Sequence, residues 1–363
     1  MAKNVNGLSL DLVIHPGETI KEVMDSKGIN QEELAIKTGF TAKHISEVVR
    51  GKKNISSKFA HALEIVFGIP TSFWINLQGI YDKKIIELES LNEISKEEYS
   101  IWQELKPILE YCEKNNLIET SSTKSLGVLN ARKFLGITNL ANIPNLNISQ
   151  VAYRGTHNNV NIYILYAWQR LCELYTDRVV LESEFNKDKL IESLSDIRNT
   201  MFLNHNSMIK KLTSIFASCG IAFAVVRHFT GAPVQGYIQK RNNKVTLCMT
   251  IRQAYSDIFW FTLFHEIGHL LNEDFEDKML DYVFLDSPIE RRADQFSKNI
   301  LIDETEYKKF IKRKNYTIDN IKKFAEEQNV IPSIVIGRME KEMDDYSFMS
   351  KYRTKYKWIE IEK

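Results

Sequence analysis

Apolar residues recur at helical spacing through most of the chain, and this pattern predicts a mainly helical protein. Near the N-terminus, short helical patterns are separated by turn signals. Asn30 and Thr41 are placed to cap helices over 31–38 and 42–49, and Gly39 between them allows a tight turn. Two short helices joined in this way form a helix-turn-helix. Its small core is predicted to contain Leu34, Ala35, Ile45 and Val48.

The pattern from residue 80 to about residue 200 indicates supporting helices without visible chemistry. Lys and Glu are dense over 80–117, with aliphatic residues at helical spacing, and Pro107 is expected to interrupt this helical stretch. Further along, the pattern predicts helices over 126–135, 162–174 and 188–202, and a loop over 142–147.

After a helix over 205–219, the pattern becomes typical of β-structure. A strand is predicted over 221–227, and the segments 236–240 and 245–251 flank Asn242-Asn243, a hairpin turn signal. The segment 245–251 is our candidate for the sheet edge that could receive a peptide backbone by β-addition. The predicted fold class is therefore α+β, mainly α with a small β-sheet.

Composition places the chain among soluble globular proteins, with 44% hydrophobic and 26% charged residues. A net charge of +1 indicates no particular partner, so any nucleic-acid signal has to be local. The sequence contains no run of 18 apolar residues, so no membrane span is predicted. The N-terminus lacks the apolar core of a signal peptide. The four cysteines are scattered, which favours reduced thiols and a cytoplasmic location.

The charge around the second helix of the helix-turn-helix is locally basic. Residues 43–58 hold five basic side chains against the single acid Glu47. This suits a recognition helix in the major groove with phosphate contacts beside it. A helical protein-interaction module is the alternative. The candidate DNA contacts are Gln31, Thr41, Lys43, His44, Ser46, Glu47, Arg50, Lys52 and Lys53.

The clearest candidate chemistry is the sequence His265-Glu266-Ile267-Gly268-His269. Residues four apart share one helix face, so the two imidazoles can bind one metal ion. Glu266 then lies where its carboxylate can reach a metal-bound water. The apolar flanks indicate a buried helix, and the spacing is typical of a zinc hydrolase.

A third protein ligand is needed, and the sequence offers two sources. The acidic loop after His269 is one, and Glu290, near the start of a predicted helix that opens at Pro288, is the better one. Asp294 lies one turn further on the same face. It could accept the free ring N–H of a ligand histidine, His265 in the first place, with His269 left open. The loop acids are Glu273, Asp274, Glu276 and Asp277.

The N-terminal motifs resemble a Cro/repressor-type (XRE) domain, which implies a lambda-repressor-like helical fold. The matching residues are 31–35, Gly39, 44–46 and 50–52. The run 15–18 and the ending 67–77 resemble the HigA antitoxin branch. That resemblance implies a homodimer that binds a double-stranded DNA operator and represses its own promoter.

The segments 257–269 and 290–296 resemble the ImmA/IrrE family of metallo-endopeptidases, a gluzincin-like group. The resemblance implies Zn²⁺ held by His265, His269 and Glu290, with Glu266 as the general base of peptide hydrolysis. The family often has a second acid two residues after the ligand Glu, where this chain has Arg292. Candidates for an oxyanion stabiliser are His228, Tyr237, Tyr255 and Tyr282.

These observations predict four regions. They are a helix-turn-helix domain over 1–80, a helical linker or support region over 81–200, a metallopeptidase domain over 201–310, and a helical tail over 311–363 that packs on it. The first functional hypothesis is a regulator whose peptidase cleaves a repressor, a toxin-related partner or itself. The alternative is a non-catalytic antitoxin or repressor whose zinc domain only binds a partner or senses a signal. Neither hypothesis involves a membrane.

Overall fold

The structure is a computed structural model that describes residues 13–146, 160–241, 243–273, 278–280 and 287–358. The chain divides into two compact units. The first unit comprises Met1–Trp102 and Asn116–Lys133, and the second comprises Gln103–Asn115 and Phe134–Lys363. Among the described residues, no helix combines the length and the apolar character that a membrane span requires.

Helices dominate the described chain, which confirms the predicted fold class. Seven come before residue 140: α1 (Pro16–Lys27), α2 (Gln31–Thr38), α3 (Ala42–Val49), α4 (Ser57–Phe67), α5 (Thr71–Asn92), α6 (Lys96–Lys114) and α7 (Lys124–Leu135). The remaining helices are α8 (Ile162–Thr176), α9 (Lys187–Asn199), α10 (His205–Ser218), α11 (Ser256–Asn272), α12 (Pro288–Leu301), α13 (Glu304–Lys312), α14 (Ile318–Glu327) and α15 (Pro332–Met343).

The helix-turn-helix consists of α2 and α3, and its boundaries follow from local capping. The Asn30 side chain accepts a hydrogen bond from Glu33 N at 2.8 Å, and the Thr41 hydroxyl accepts one from His44 N at 3.1 Å. Gly39 turns the chain at φ 73°, a conformation that a side chain disfavours. The core of this unit includes the predicted Leu34, Ala35, Ile45 and Val48, together with Ile20, Phe59 and Trp74.

Two expectations for the middle of the chain are wrong. The helical stretch is interrupted between α5 and α6 rather than at Pro107. The Ser95 hydroxyl accepts a hydrogen bond from Glu98 N at the start of α6, and this helix continues through Pro107. Buried Leu105, Ile108 and Leu109 hold this part of α6, so packing outweighs the lost backbone donor. The predicted loop over 142–147 is instead largely a 3₁₀ helix, Leu140–Asn145, and Asn147 lies outside the described residues.

The second unit contains a four-stranded sheet with the strand order β1-β3-β2-β4. The predicted hairpin is present, because β2 (Gly236–Arg241) pairs with β3 (Lys244–Met249) in antiparallel register. β1 (Ile221–Val225) pairs with the other side of β3 in parallel, so β3 is an interior strand and the predicted edge at 245–251 is wrong. The edge beside β2 is β4 (Lys278–Leu280), which is too short to give a sequence signal.

The helix α11 is the centre of the second unit. It contacts β2, β3, α12 and α15, and its Trp260, Phe264, Ile267 and Leu270 side chains are fully buried. A helix that is apolar on nearly all sides has little freedom to move relative to its surroundings. Side chains that point from α11 are therefore fixed by the surrounding core.

The end of the described chain packs on the first turn of α11. Thr354 O accepts a hydrogen bond from Ser256 N at 2.9 Å, and the Tyr356 hydroxyl accepts one from Trp260 Nε1 at 2.8 Å. Arg353 donates to both oxygens of Asp257, at 2.9 and 2.5 Å, and to Glu340 at 2.5 Å. These contacts join segments almost 100 residues apart in sequence and fix the start of α11.

Candidate metal centre and candidate nucleic-acid interface

His265, Glu266 and His269 lie in the second half of α11 and are largely or completely buried. Their exposed fractions are 7%, 0% and 0%. The helix brings the two histidines together, with 2.9 Å between His265 Nε2 and His269 Nε2. The two rings meet edge to face.

Glu290 reaches this pair from the first turn of α12. Ser287 caps that helix by accepting a hydrogen bond from Glu290 N at 3.2 Å, and Pro288 follows at its first position. Glu290 Oε2 lies 3.0 Å from His265 Nε2 and 3.6 Å from His269 Nε2. The structure therefore brings together the three residues that the sequence nominated as metal ligands.

The three side chains fit a tetrahedral metal ion. Each offers one ligand atom, and these atoms lie within 4.8 Å of one another. Zinc–nitrogen and zinc–oxygen bonds of about 2.0–2.1 Å separate tetrahedral ligands by roughly 3.3 Å, which is close to the distances here. Two imidazoles and one carboxylate are also a common donor set for zinc with one position left open.

The carboxylate of Glu290 is ionised in this environment. Burial raises its pKa, but the hydrogen bonds and charges of His265 and His269 outweigh burial and lower the pKa to about 2. An ionised carboxylate is the form in which this group binds a cation.

Asp294 lies behind His265. Its Oδ1 is 2.9 Å from His265 Nδ1, and the hydrogen bond to His265 lowers the pKa of Asp294. The contact leaves His265 Nε2 facing Glu290 and His269. His269 Nδ1 is buried and meets no polar partner within the described part of the chain, so the carboxylate orients only one of the two rings.

Glu266 is fully buried and points toward the start of β2. A Cβ atom added to Gly236 would lie 2.0 Å from Glu266 Oε1, so a side chain at this position would displace the carboxylate. The first residue of β2 thus forms one wall of the site beside Glu266. This role was not predicted from the sequence, although a glycine at the start of a predicted strand signals close approach.

Two of the four candidate oxyanion stabilisers lie away from the site. Gly236 faces Glu266, so Tyr237 points to the opposite face of the sheet, where its hydroxyl donates to Gln239 Oε1 at 3.0 Å. Tyr255 precedes α11, about 15 Å along the axis from His265, and its ring stacks on the Arg353 guanidinium. His228 is half-buried near Arg252, and Tyr282 lies outside the described residues.

The alternative ligands in the acidic loop are only partly described. Glu273 is the C-terminal cap of α11. Its Oε1 lies 3.7 Å from Lys187 Nζ, with which it forms an ion pair. The remaining loop acids, Asp274, Glu276 and Asp277, lie outside the described residues.

The candidate DNA contacts of the first unit lie around α3. Arg50, Lys52 and Lys53 are exposed just after the helix, and Lys43 is exposed on it, with Nζ 3.9 Å from Glu47 Oε1. Gln31 and Ser46 are half-buried. Thr41 is exposed, but its hydroxyl is engaged as the helix cap. All four cationic side chains of the set are therefore accessible to a ligand.

His44 is less accessible than its position in α3 suggested. Its ring packs 4.7 Å from Phe40 and 4.9 Å from Phe59, measured between ring centroids. Burial and then the charge of Lys53 lower its pKa, while Glu47 raises it, with a net decrease. His44 is therefore a half-buried, neutral side chain that packs on the core, and its Nε2 is buried.

Two family models match the chain, one in each unit. The helix-turn-helix family matches residues 20–74, and a family described as the IrrE N-terminal-like domain matches residues 256–340. The fold and the group formed by His265, Glu266, His269 and Glu290 define a helix-turn-helix protein with a candidate peptidase-type metal centre. The chain belongs to the helix-turn-helix family through its first unit and carries an IrrE-like peptidase-family domain in its second.

The N-terminal match extends to individual proteins. Virulence-associated protein A' of Dichelobacter nodosus is 41% identical over 69 residues, which cover 19% of this chain and 60% of that protein. Virulence-associated protein I of the same organism is 33% identical over 75 residues, which cover 20% and 69%. A Pseudomonas aeruginosa protein solved with its operator DNA is 31% identical, with coverages of 20% and 80% and a TM-score of 0.20.

Proposed function

We propose that this chain is a DNA-binding transcriptional regulator of antitoxin or repressor type whose second unit is a zinc-dependent endopeptidase that cleaves a regulatory protein. The observation that carries the proposal is the convergence of His265, His269 and Glu290 beside the buried carboxylate of Glu266. This is the residue set of a metal-assisted hydrolase, and it occurs on the same chain as a helix-turn-helix.

Each residue of the site has a distinct role in the proposed hydrolysis. Zinc held by His265, His269 and Glu290 would supply Lewis-acid polarisation of the scissile carbonyl and acidify a water molecule. Glu266 accepts the proton of the attacking water and then delivers it to the leaving amine. Asp294 accepts the Nδ1–H of His265 and so keeps the Nε2 lone pair directed at the site.

The first unit would bring this activity to an operator. Arg50, Lys52 and Lys53 are exposed beside α3 and can contact phosphates on either side of the groove that receives the helix. The HigA-like residues support an antitoxin or repressor that works as a homodimer on its own promoter. The protein substrate is then a cognate toxin, a repressor or the chain itself, in the cytoplasm.

The decisive experiment compares the wild-type chain with Glu266→Gln and with a matched control, Glu326→Gln, whose side chain is exposed on α14. All three purified proteins should contain about one zinc per chain, since no ligand is changed. The wild type and the control should cleave the chain itself or the product of an adjacent gene, and Glu266→Gln should not.

If Glu266→Gln cuts as fast as the wild type, the peptidase assignment is wrong. If all three proteins bind zinc and none cuts, the non-catalytic regulator is the better description.

A further inference from the structure

A short loop over residues 50–55 follows α3 and carries candidate phosphate contacts, of which Lys52 and Lys53 are exposed. At its start, Lys52 N donates to Glu47 O at 2.8 Å, so the backbone is fixed to the last turn of α3. Burial lowers the pKa of His44, and the charge of Lys53 lowers it further, which places the Lys53 ammonium near α3. The loop therefore continues the surface that the candidate recognition helix presents.

The second half of this loop is tied to α5 by side-chain hydrogen bonds. Ile55 N donates to Gln78 Oε1 at 2.9 Å, and Gln78 Nε2 donates to Asp82 Oδ1 at 2.8 Å. Asn54 Nδ2 donates to the same Asp82 oxygen at 3.3 Å. Gln78 is only 6% exposed, and Asp82 lies one helical turn further on the same face of α5. Two side chains of one helix face therefore hold the two residues that come directly after Lys53.

The first half of the loop packs on His15, which itself contacts α5. A Cβ atom added to Gly51 would lie 3.3 Å from His15 Cγ, so the loop backbone runs close to this ring. The His15 ring meets the ring of Tyr81 edge to face, with 4.7 Å between the ring centroids. Tyr81 directly precedes Asp82 in α5. Contacts that begin on this part of α5 therefore reach both halves of the loop.

A loop that is ordered before DNA arrives has an advantage in binding. Fixing the backbone of a residue costs conformational free energy, and a contact made by a mobile loop has to offset that cost during binding. Ile55 is buried, so its N–H needs an acceptor within the protein, and Gln78 provides one. The hydrogen bonds to α5 thus fix the loop in the free protein.

We infer that Gln78 and Asp82 are positioning residues of the DNA interface, which hold residues 50–55 in the conformation in which Lys52 and Lys53 contact phosphates. The inference rests on the proposed DNA binding and adds the residues that organise the loop beside the recognition helix. Gln78 and Asp82 act on DNA affinity through the two lysines and need no contact with DNA themselves. Their effect should therefore disappear when the two lysine charges are removed.

The test measures binding of the full-length chain to a fluorescent duplex taken from directly upstream of the gene. Gln78→Met keeps the net charge and a similar side-chain length but loses both hydrogen bonds, and it should bind about tenfold more weakly. Asn76→Met changes an exposed amide of the same helix and is the matched control, which should bind like the wild type. Circular dichroism establishes that each variant is folded under the assay conditions.

A double-mutant cycle separates positioning from a general loss of structure. In a chain that carries Lys52→Ala and Lys53→Ala, addition of Gln78→Met should weaken binding by less than about twofold, because the loop has no lysine charge left to position. A purely structural effect of Gln78→Met would weaken binding by the same factor in both backgrounds.

Asp82→Ala provides a second variant that leaves the core unchanged, since Asp82 is only partly buried. Removal of a carboxylate reduces repulsion of phosphates, so charge alone predicts tighter binding. The positioning role predicts the opposite, namely binding that is about threefold weaker than that of the wild type. Glu89→Ala removes an exposed acid from the same helix and is the matched control, which should not weaken binding.

The outcomes distinguish the positioning role from the proposed function. Unchanged or tighter binding by Asp82→Ala or by folded Gln78→Met, or equal losses in the two backgrounds of the cycle, overturns the positioning role while DNA binding stands. If Gln78→Met does not fold, Asp82→Ala alone decides. No binding of the wild type to this duplex or to unrelated duplexes at low salt overturns the DNA-binding function and the positioning role together.

Discussion

At the scale of single residues, the two ligand histidines differ in their support. His265 has Asp294 behind its Nδ1 at 2.9 Å, whereas His269 Nδ1 is buried and meets no described polar group. A carboxylate behind a metal-binding imidazole fixes its tautomer and makes it a better ligand. Affinity for zinc should therefore depend strongly on an aspartate that does not touch the metal.

We expect Asp294→Asn to weaken zinc binding by about 10–100-fold, the usual effect of removing such a partner, while Glu290→Gln weakens it more. Competition with a fluorescent chelator measures both affinities. Gln295→Ala, an exposed change on the same helix, is the control and should leave the affinity unchanged. Equal affinities for Asp294→Asn and the wild type would remove the supporting role of Asp294.

His15 provides a residue-scale prediction in the first unit. Its Nδ1 accepts a hydrogen bond from Gly17 N at 2.9 Å and so caps α1, which requires a neutral ring. Burial lowers its pKa, although Asp82 and Glu18 act in the opposite direction. Because the folded pKa lies below the unfolded value of 6.5, the cap contributes fully above pH 6.5. Its contribution decreases as the pH falls through that value, since only the unfolded chain binds the proton.

An NMR titration of the full chain should give His15 a pKa below 6.5, and the Gly17 amide resonance should move as the ring protonates. In His15→Asn, which keeps a capping side chain, that amide should be insensitive to pH in this range. A His15 pKa above 6.5 would contradict the proposed role of the neutral ring as the cap of α1.

At the scale of elements, the start of α11 is held by the end of the described chain. Arg353 is the single cation between two buried acids, Asp257 and Glu340, whose side chains are 3% and 1% exposed. Burial raises the pKa of Asp257, and the hydrogen bonds and charge of Arg353 oppose this. Removal of Arg353 would leave two carboxylates in a site without a counter-charge.

Arg353→Met should therefore lower the free energy of unfolding of the second unit by about 3–5 kcal/mol, as is usual when one partner of a buried ion pair is removed. Urea unfolding followed by circular dichroism measures the change. Lys357→Met, four residues away and exposed, should change it by less than about 0.5 kcal/mol. A similar small effect for Arg353→Met would mean that the ion-pair cluster contributes little to stability.

At the scale of the whole molecule, the candidate DNA-binding and metal-binding residues lie in separate compact units. Exposed cations of the first unit, rather than the net charge of +1, are expected to determine DNA affinity. The candidate metal ligands all belong to the second unit.

Lys52→Ala combined with Lys53→Ala should weaken binding to a duplex taken from directly upstream of the gene, and should reduce the slope of log K against log salt by about 1.8. Fluorescence anisotropy over a range of salt concentrations measures this. Lys83→Ala with Lys84→Ala, exposed on α5, is the matched control and should leave the slope unchanged. An unchanged slope in the first variant would place the phosphate contacts elsewhere.

The sequence by itself determined the features that depend on a few neighbouring residues. Both ends of α2 and the start of α3 follow from Asn30, Gly39 and Thr41, since helix caps act within a few residues of their own position. The spacing of His265 and His269 follows from the helical repeat in the same way. Local hydrogen bonds and periodicity are sufficient for these elements.

The tertiary structure decided what depends on packing between distant segments. It places β3 inside the sheet, turns Tyr237 away from α11, packs the His44 ring against Phe59, and joins Arg353 to Asp257 across 96 residues. In each case the free energy comes from burial and ion pairing between parts of the chain whose proximity no local pattern encodes. The contact of Glu290 with both histidines depends on both kinds of information. Local patterns nominated the residues, through the helical spacing of the histidines and the helix start at Pro288, and the packing of α12 on α11 brought them together.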